Sequence, residues 1–355
     1  MRSRVTAEAG GNLRPQAKSA HPANNFDAIR LLGALMVLVS HQFALSGRPE
    51  PHVAGDVSLG ALGVLIFFSI SGYLVASSWR SDPSLPRFIA RRLLRIWPGL
   101  AASVVLTSAV YWFVSGRLAS PRFLANLLFV SADGSFFASN PQVKMNGSLW
   151  TVQLEVLCYI AFACLGRFMG RNLETALLLV AILAAPAYLM FEGSRLDAGA
   201  VVPGIRLFPY FAAFFFAGAA QLIFRPGAVA MVAIVSAGLI LLACAHIALG
   251  LWLIVPSLTI AIGRRSWPIV ARFGRFGDLS YGIYLWAWPV QQAEVGLLGK
   301  DTPYVTLLSV SLLFVVPIAW MSWHLVEKRA LALKPSRFRN DPVKSGFIPV
   351  GANQV

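Results

Sequence analysis

The sequence is poor in charged residues. Asp, Glu, Lys and Arg make up 13% of its 355 residues, about half the share found in an ordinary soluble domain. Hydrophobic residues make up 57%. Because so few charges cannot cover so apolar a chain in water, a soluble protein of two or three domains is excluded. The chain must use lipid as its solvent.

Cysteine is also scarce. The three cysteines, Cys158, Cys164 and Cys244, each lie inside an apolar run, which excludes a disulfide-stabilised secreted scaffold. No P-loop, His-Glu-x-x-His helix or cysteine cluster occurs, so we expect no metal and no ATP-driven transport. The apolar residues come in runs of about 20 and not in alternating blocks of about 10, which disfavours an outer-membrane barrel.

Acidic residues are half as numerous as basic ones. The chain has 15 Asp and Glu against 30 Lys and Arg, a net charge of +15. The basic residues gather at the ends of apolar runs, as membrane topology requires. Since no basic stripe is interleaved with surface aromatics, the excess does not indicate nucleic-acid binding.

Ten apolar runs are candidates for membrane-spanning helices, each of which needs about 20 residues. They lie near 26–45, 59–79, 97–115, 148–166, 175–191, 204–224, 228–245, 249–263, 278–298 and 304–326. The seventh and eighth form one continuous run, which we divide near 246–250 because a single helix of that length would overshoot the bilayer. The pattern predicts an all-α membrane protein, a polytopic bundle of about ten transmembrane helices.

The distribution of positive charge sets the orientation of this bundle. With the N-terminus inside, 23 of the 30 basic residues fall on the cytoplasmic side, so we predict that both termini are cytoplasmic. Residues 1–25 are polar and lack the apolar core of a signal peptide, which indicates a disordered cytosolic arm. The membrane domain then covers 26–330, and 331–355 form a loose cytosolic tail.

The first span contains two ionisable residues, Arg30 and His41, which are costly inside a membrane. Eleven residues complete about three helical turns, so both side chains lie on one face, about 16 Å apart along the axis. Arg30 is placed near the cytosolic boundary and His41 in the outer half of the bilayer. Such a polar stripe suits group transfer across the membrane; alternatively, Arg30 reaches lipid headgroups and His41 is a buried, satisfied histidine.

The fourth span contains a carboxylate, Glu155, about 10 Å below the predicted outer boundary. This depth is close to that of His41, so the two side chains are candidates for an acid–base pair. The alternative is a structural pair between helices that has no chemical role.

A cluster of arginines stands at the inner end of the third span. Arg91, Arg92 and Arg95 are spaced three and four residues apart and share one helix face. The planar guanidinium fork binds two phosphate oxygens at once. The alternative is an ordinary positive anchor on the cytoplasmic side.

Taken together, these motifs resemble the acyltransferase-3 family of integral-membrane acyltransferases, which modify bacterial surface carbohydrates. The matching segments run in the family's order over nearly the whole chain: Arg30 with His41, residues 63–73, Arg92 with Arg95, residues 148–155, residues 280–289, and Glu327 with Lys328. Two positions depart from the pattern, because many members have an acidic residue where Leu65 stands and a histidine where Ala287 stands.

The resemblance implies an enzyme of the bacterial inner membrane that moves an acyl group, usually acetyl, from cytosolic coenzyme A to a glycan or lipid-linked sugar hydroxyl. Acyl-CoA is then a donor substrate, and no tightly bound cofactor is expected. The expected roles are general base or acyl carrier for His41, its orientation or acceptor binding for Glu155, coenzyme binding for Arg30, Arg91, Arg92 and Arg95, and substrate binding or support for Asp27, Ser71, Trp150 and Tyr284.

A protein of another class fits the same residues. A proton-coupled transporter or flippase of lipid-linked saccharides would use Arg30, His41 and Glu155 as a relay, and it would require no coenzyme. A purely structural membrane protein is the third alternative.

Overall fold

The computed structural model describes residues 24–130, 135, 137–196, 204–268 and 277–335. The N-terminal arm, apart from its last two residues, and the tail beyond residue 335 lie outside the described residues. The helices, in chain order, are α1 (Phe26–Leu45), α2 (Leu59–Ser81), α3 (Leu85–Ser115), α4 (Pro121–Leu124), α5 (Trp150–Met169), α6 (Leu173–Leu179), α7 (Ala185–Leu196), α8 (Phe208–Ala220), α9 (Ala228–Ala243), α10 (Ile247–Gly263), α11 (Leu279–Leu298), α12 (Tyr304–Ser322) and α13 (Lys328–Ala332).

Within the described residues, β-structure consists of one short hairpin and an isolated bridge between Ser135 and Lys144. Strands β1 (His52–Ala54) and β2 (Val57–Ser58) pair antiparallel in the connection between α1 and α2. Ser58 then caps α2, since its side chain accepts a hydrogen bond from the backbone N–H of Ala61. The hairpin thus leads directly into the second helix of the bundle.

All ten predicted spans fall on helices. Within the described residues, five helical stretches are long and apolar enough to cross a bilayer on their own: Phe26–Leu45, Leu59–Ser81, Leu85–Phe113, Trp150–Met190 and Tyr304–Ala332. The helices α8, α9 and α10 are apolar but shorter. The chain is therefore a multi-pass α-helical membrane protein, while the count of ten and the side on which the termini lie remain predictions.

The boundaries show where hydropathy alone misleads. The continuous apolar run turns between α9 and α10, where Ala245 adopts a φ of 62°, slightly before the predicted division near 246–250. The third predicted span began at residue 97, whereas α3 begins at Leu85 and carries Pro86 in its first turn. The arginine cluster therefore extends a membrane helix and does not lie in a loop.

Helix α2 lies at the centre of the bundle and packs most extensively against α8 and α1. Glycines permit this approach: a Cβ atom on Gly63 would lie 2.5 Å from the carbonyl oxygen of Gly33, and one on Gly72 would lie 1.8 Å from that of Phe215. Small residues at such interfaces bring helix backbones into direct contact. The position of α2 is consequently fixed on two sides.

Helix α11 packs against α12, α1 and α3. It therefore faces both the helix that carries Arg30 and His41 and the helix that carries the arginine cluster. Residues from opposite ends of the chain meet along this seam, and the two cavities described next open beside it.

Candidate active site

One cavity, which we name the inner cavity after the predicted orientation of the chain, has a volume of about 220 Å³ and lies between α1, α2, α3, α5 and α11. Four basic side chains line it: Arg30, Arg92, Arg95 and Lys334. Glu155 is the acidic residue in the same lining. The structure thus brings together three of the four arginines that were predicted to bind coenzyme.

Asp278 holds two of these arginines in place. It is the N-cap of α11, and its carboxylate accepts a hydrogen bond from the backbone N–H of Ser280. Arg30 Nη1 donates to Asp278 Oδ2 at 2.8 Å, and Arg95 Nη2 donates to the same oxygen. Sequence analysis missed Asp278, although an acidic residue just before an apolar run is a recognisable helix cap.

Arg92 has a different environment. Its guanidinium carbon lies 5.8 Å from the ring centroids of both Phe88 and Tyr159, within the range of a cation–π contact. Its Nε is buried without a hydrogen-bond partner, and among the described residues no carboxylate forms an ion pair with it. Arg92 is therefore held by aromatic rings, and the Glu155 carboxylate, which lies within electrostatic range, offsets part of its charge without forming an ion pair.

Arg91 was predicted to bind coenzyme together with Arg30, Arg92 and Arg95, but in the structure it points to Asp82 and not into the inner cavity. Its Nη1 lies 2.8 Å from Asp82 Oδ2, and Arg87 Nη2 lies 2.7 Å from Asp82 Oδ1. Hydrogen bonds from Arg87 and Arg91 hold the pKa of the Asp82 carboxyl well below its usual range. Arg91 does not line the inner cavity, so its charge is taken up by the connection between α2 and α3.

Lys334 is the second residue of this cavity that sequence analysis missed. It follows α13, more than 230 residues beyond Arg95 along the chain. Desolvation and then repulsion from Arg95, Arg92 and Arg30 lower its pKa to about 8. A lysine in a loose terminal segment gives no sequence signal of its own, since only the fold brings it to the arginines.

Glu155 is held by hydrogen bonds from side chains on α2 and α5. Its Oε1 accepts hydrogen bonds from Ser71 Oγ at 2.7 Å and from Tyr159 OH at 2.6 Å. Ser71 was predicted as a supporting residue, and here it fixes Glu155. Asp27, at the start of α1, lies within electrostatic range of Asp278, Arg30 and Arg95.

An outer cavity of about 430 Å³ contains His41. Its lining includes the carboxylates of Glu50 and Asp56, together with the aromatic side chains of Trp150 and Trp288. The His41 ring stands edge-on to Trp288, with centroids 4.8 Å apart. No group among the described residues hydrogen-bonds the buried His41 Nδ1.

The predicted pairing of His41 with Glu155 is wrong in this structure. His41 lines the outer cavity and Glu155 the inner one. Glu155 lies one helical turn further into α5 than Thr151, which lines both cavities, so it falls on the inner side of their shared wall. Counting residues from a predicted span boundary did not resolve this difference of one turn.

The two cavities meet. Val64, Thr151 and Tyr284 line both of them. Tyr284, predicted as a supporting residue, hydrogen-bonds Thr151 and donates to the carbonyl oxygen of Ser148 at 2.9 Å. The inner cavity, lined by arginines, and the outer cavity, which contains His41, are therefore two chambers that share one wall of three side chains.

Comparison with known proteins decides the family. A family model described as an acyltransferase domain matches residues 24–324, most of the chain. The chain belongs to the acyltransferase-3 family. It is an O-acetyltransferase-like membrane enzyme, which the resemblance of its motifs had indicated. The transporter alternative finds no support in this assignment.

Several relatives of this acyltransferase are known. It is 34% identical over 331 residues to the O-acetyl transferase of Shigella phage Sf6, covering 88% of this chain and 97% of the relative. It is 25% identical to nodulation protein 10 of Rhizobium leguminosarum bv. viciae, covering 88% and 94%. A shorter match, 36% over 119 residues, covers 32% of this chain and 37% of the exopolysaccharide production protein ExoZ of Rhizobium meliloti. No solved structure matches the chain significantly.

The two positions that depart from the family pattern lie outside both cavities. Leu65 is 1% exposed and Ala287 is fully buried, and neither lines the inner or the outer chamber. Ala287 packs with Ala34 and Leu38 between α11 and α1. These positions serve helix packing in this acyltransferase.

Proposed function

We propose that this acyltransferase, in a bacterial inner membrane, transfers an acyl group, usually acetyl, from cytosolic acyl-CoA to a hydroxyl of a cell-surface glycan or lipid-linked sugar. The observation that carries the proposal is the contact between the two chambers. One holds arginines suited to phosphate, the other a histidine suited to proton transfer, and three side chains separate them. The proposal places both termini and the inner cavity on the cytoplasmic side.

The donor binds at the inner cavity. Arg92, whose guanidinium forms no ion pair among the described residues, takes the phosphates of the coenzyme, with Lys334 beside it. Arg30 and Arg95 share one oxygen of Asp278, which leaves part of their positive charge for the same anion. Since the cavity measures about 220 Å³, it takes the acyl-pantetheine end, while the nucleotide stays at the cytosolic mouth.

The acceptor binds at the outer cavity. Carboxylates accept hydrogen bonds from hydroxyl groups, and the side chains of Glu50 and Asp56 supply them. Trp150 and Trp288 offer flat apolar faces for a sugar ring. Glu50 is fixed by a hydrogen bond from Ser40, the neighbour of His41. Glu50 and His41 line the same cavity, whereas Glu155 lines the other one. Glu50 is therefore the acid that holds the acceptor hydroxyl near the imidazole.

His41 performs the proton transfer. As a general base it accepts the proton of the acceptor hydroxyl while the hydroxyl oxygen attacks the thioester carbonyl carbon. A C–O bond forms, the C–S bond breaks, and the proton passes to the coenzyme thiolate. In the acyl-carrier version, the imidazole attacks first and passes the acyl group on. Both versions consume the thioester and need no ATP.

The test is transfer of radiolabel from acetyl-CoA to candidate glycans by purified enzyme. His41→Ala should lower the rate at least about 100-fold, the usual contribution of a general base. His246→Ala is the matched control, because His246 is an exposed histidine at the turn between α9 and α10. Full turnover by the His41 variant contradicts the assignment. Label trapped on wild-type protein without acceptor, and lost in His41→Ala, indicates an acyl-histidine.

A further inference from the structure

The wall between the two chambers has a polar side and an apolar side. Thr151 and Tyr284 form the polar side through their shared hydrogen bond. Val64 on α2 is the apolar member and is 8% exposed. We propose that Val64 sets the length of the acyl chain that this enzyme transfers. The inference rests on the proposed function, since it requires a thioester on the inner side and an acceptor on the outer side.

The polar side of the wall is tied down. Tyr284 is buried, and its hydroxyl donates to the carbonyl oxygen of Ser148 at 2.9 Å in addition to its contact with Thr151. The ring of Phe67 stands edge-on to Tyr284, with centroids 5.8 Å apart. Moving Tyr284 aside would break these hydrogen bonds in a buried environment, which is costly. An acyl group that crosses the wall therefore passes on the side of Val64.

The backbone at Val64 is also fixed. The preceding residue, Gly63, already lies against Gly33, since a Cβ atom on Gly63 would come within 2.5 Å of the Gly33 carbonyl oxygen. Helix α2 is held from the opposite side by α8. Because α2 has no room to shift, a change in the volume of side chain 64 changes the opening between the chambers.

The chemistry links this opening to the chain length of the acyl group. The coenzyme's phosphates lie with the inner arginines, and His41 lies in the outer cavity, so the thioester carbonyl must reach the wall. An acetyl group puts one methyl at this point, whereas a butyryl group puts three carbons there. A pocket that fits one size discriminates by about 10-fold or more per methylene group. Val64 is thus a specificity-determining residue that need not contact the acceptor.

The experiment measures competition between acetyl-CoA and butyryl-CoA for one acceptor in one reaction, with the product ratio read by mass spectrometry. Val64→Ala should raise the butyryl-to-acetyl ratio about 10-fold, and Val64→Ile should lower it. Because both products come from the same enzyme molecules, the amount of folded protein cancels. The matched control is Val75→Ala, a fully buried valine on α2 that lines neither cavity.

The outcomes separate this inference from the proposed function. If the wild-type enzyme transfers acetyl and both Val64 variants keep its product ratio, Val64 does not select the chain. An equal rise in Val75→Ala and Val64→Ala contradicts it as well, because general loosening of α2 then explains the change. If Val64→Ala fails to fold, the opposite shift in Val64→Ile decides. If the wild-type enzyme transfers no acyl group, the proposed function itself fails.

Discussion

At the scale of single residues, two carboxylates pair with most of the arginines near the inner cavity but not with Arg92. Asp82 binds Arg87 and Arg91, and Asp278 binds Arg30 and Arg95. A charge that is already paired has less to offer a ligand, so spacing along α3 is a poor guide to function. The arginine motif was predictable from the sequence, whereas the choice among its members depended on acids that lie far away in the chain.

Arg92 should therefore contribute more to donor binding than Arg91. Arg92→Gln removes a guanidinium that forms no ion pair among the described residues, and should weaken acetyl-CoA binding about 10- to 100-fold, the range for a hydrogen bond to a charged group. Arg91→Gln, one residue away, leaves Asp82 with Arg87 and should change the dissociation constant less than threefold. Calorimetric titration measures both. Equal losses in the two variants would show that the whole arginine cluster acts as one surface.

Lys334 gives donor binding a pH dependence with a definite sign. Its pKa is lowered to about 8, so the ammonium group is charged at pH 7 and largely neutral at pH 9. Affinity for the anionic coenzyme should fall about threefold between these values, as for a partly exposed charge pair. Lys334→Arg stays charged throughout and should abolish this fall. Acetyl-CoA dissociation constants at several pH values provide the measurement, and an unchanged profile in the arginine variant excludes Lys334.

At the scale of helices, hydropathy predicted where helices run but not how residues on two helices align. Every predicted span falls on a helix, because runs of about 20 apolar residues have few alternatives in a bilayer. The prediction that Arg30 and His41 form one polar stripe required only the geometry of α1. In the structure Arg30 lines the inner cavity and His41 lines the outer cavity. The His41–Glu155 pair depended on the relative heights of α1 and α5, which hydropathy does not fix to within one helical turn. The sequence therefore predicted the arrangement of residues within one helix better than contacts between two helices.

The glycine contacts of α2 support the position of the wall. Gly72→Ala should separate α2 from α8, because its Cβ would lie 1.8 Å from the carbonyl oxygen of Phe215. Overpacking of this kind typically costs about 1–3 kcal/mol, and the variant should melt at a lower temperature in detergent. Gly227→Ala is the control, since a Cβ there meets nothing within 4 Å. Equal melting temperatures of the two variants would mean that α2 is not clamped at Gly72.

At the scale of the whole molecule, the fold places its chemical groups on two sides of a thin wall. Basic residues of α1, α3 and the segment after α13 gather at the inner chamber, and His41 opens to the outer one. The hairpin β1–β2 and the connection before α5 border the outer chamber, where Asp56 and Lys144 lie. A soluble acyltransferase needs no such division, because its donor and acceptor share one solvent. The division is the arrangement that the proposed transfer across a membrane requires.

The most direct test uses sealed proteoliposomes with radiolabelled acetyl-CoA trapped inside and a membrane-impermeant glycan acceptor outside. The account predicts labelled glycan outside without permeabilisation, and at least about 100-fold less label with His41→Ala. Vesicles that contain the His41 variant also measure any leakage of donor. If label reaches the glycan only after the vesicles are opened with detergent, donor and acceptor meet on one side of the bilayer, and the two-chamber account is wrong.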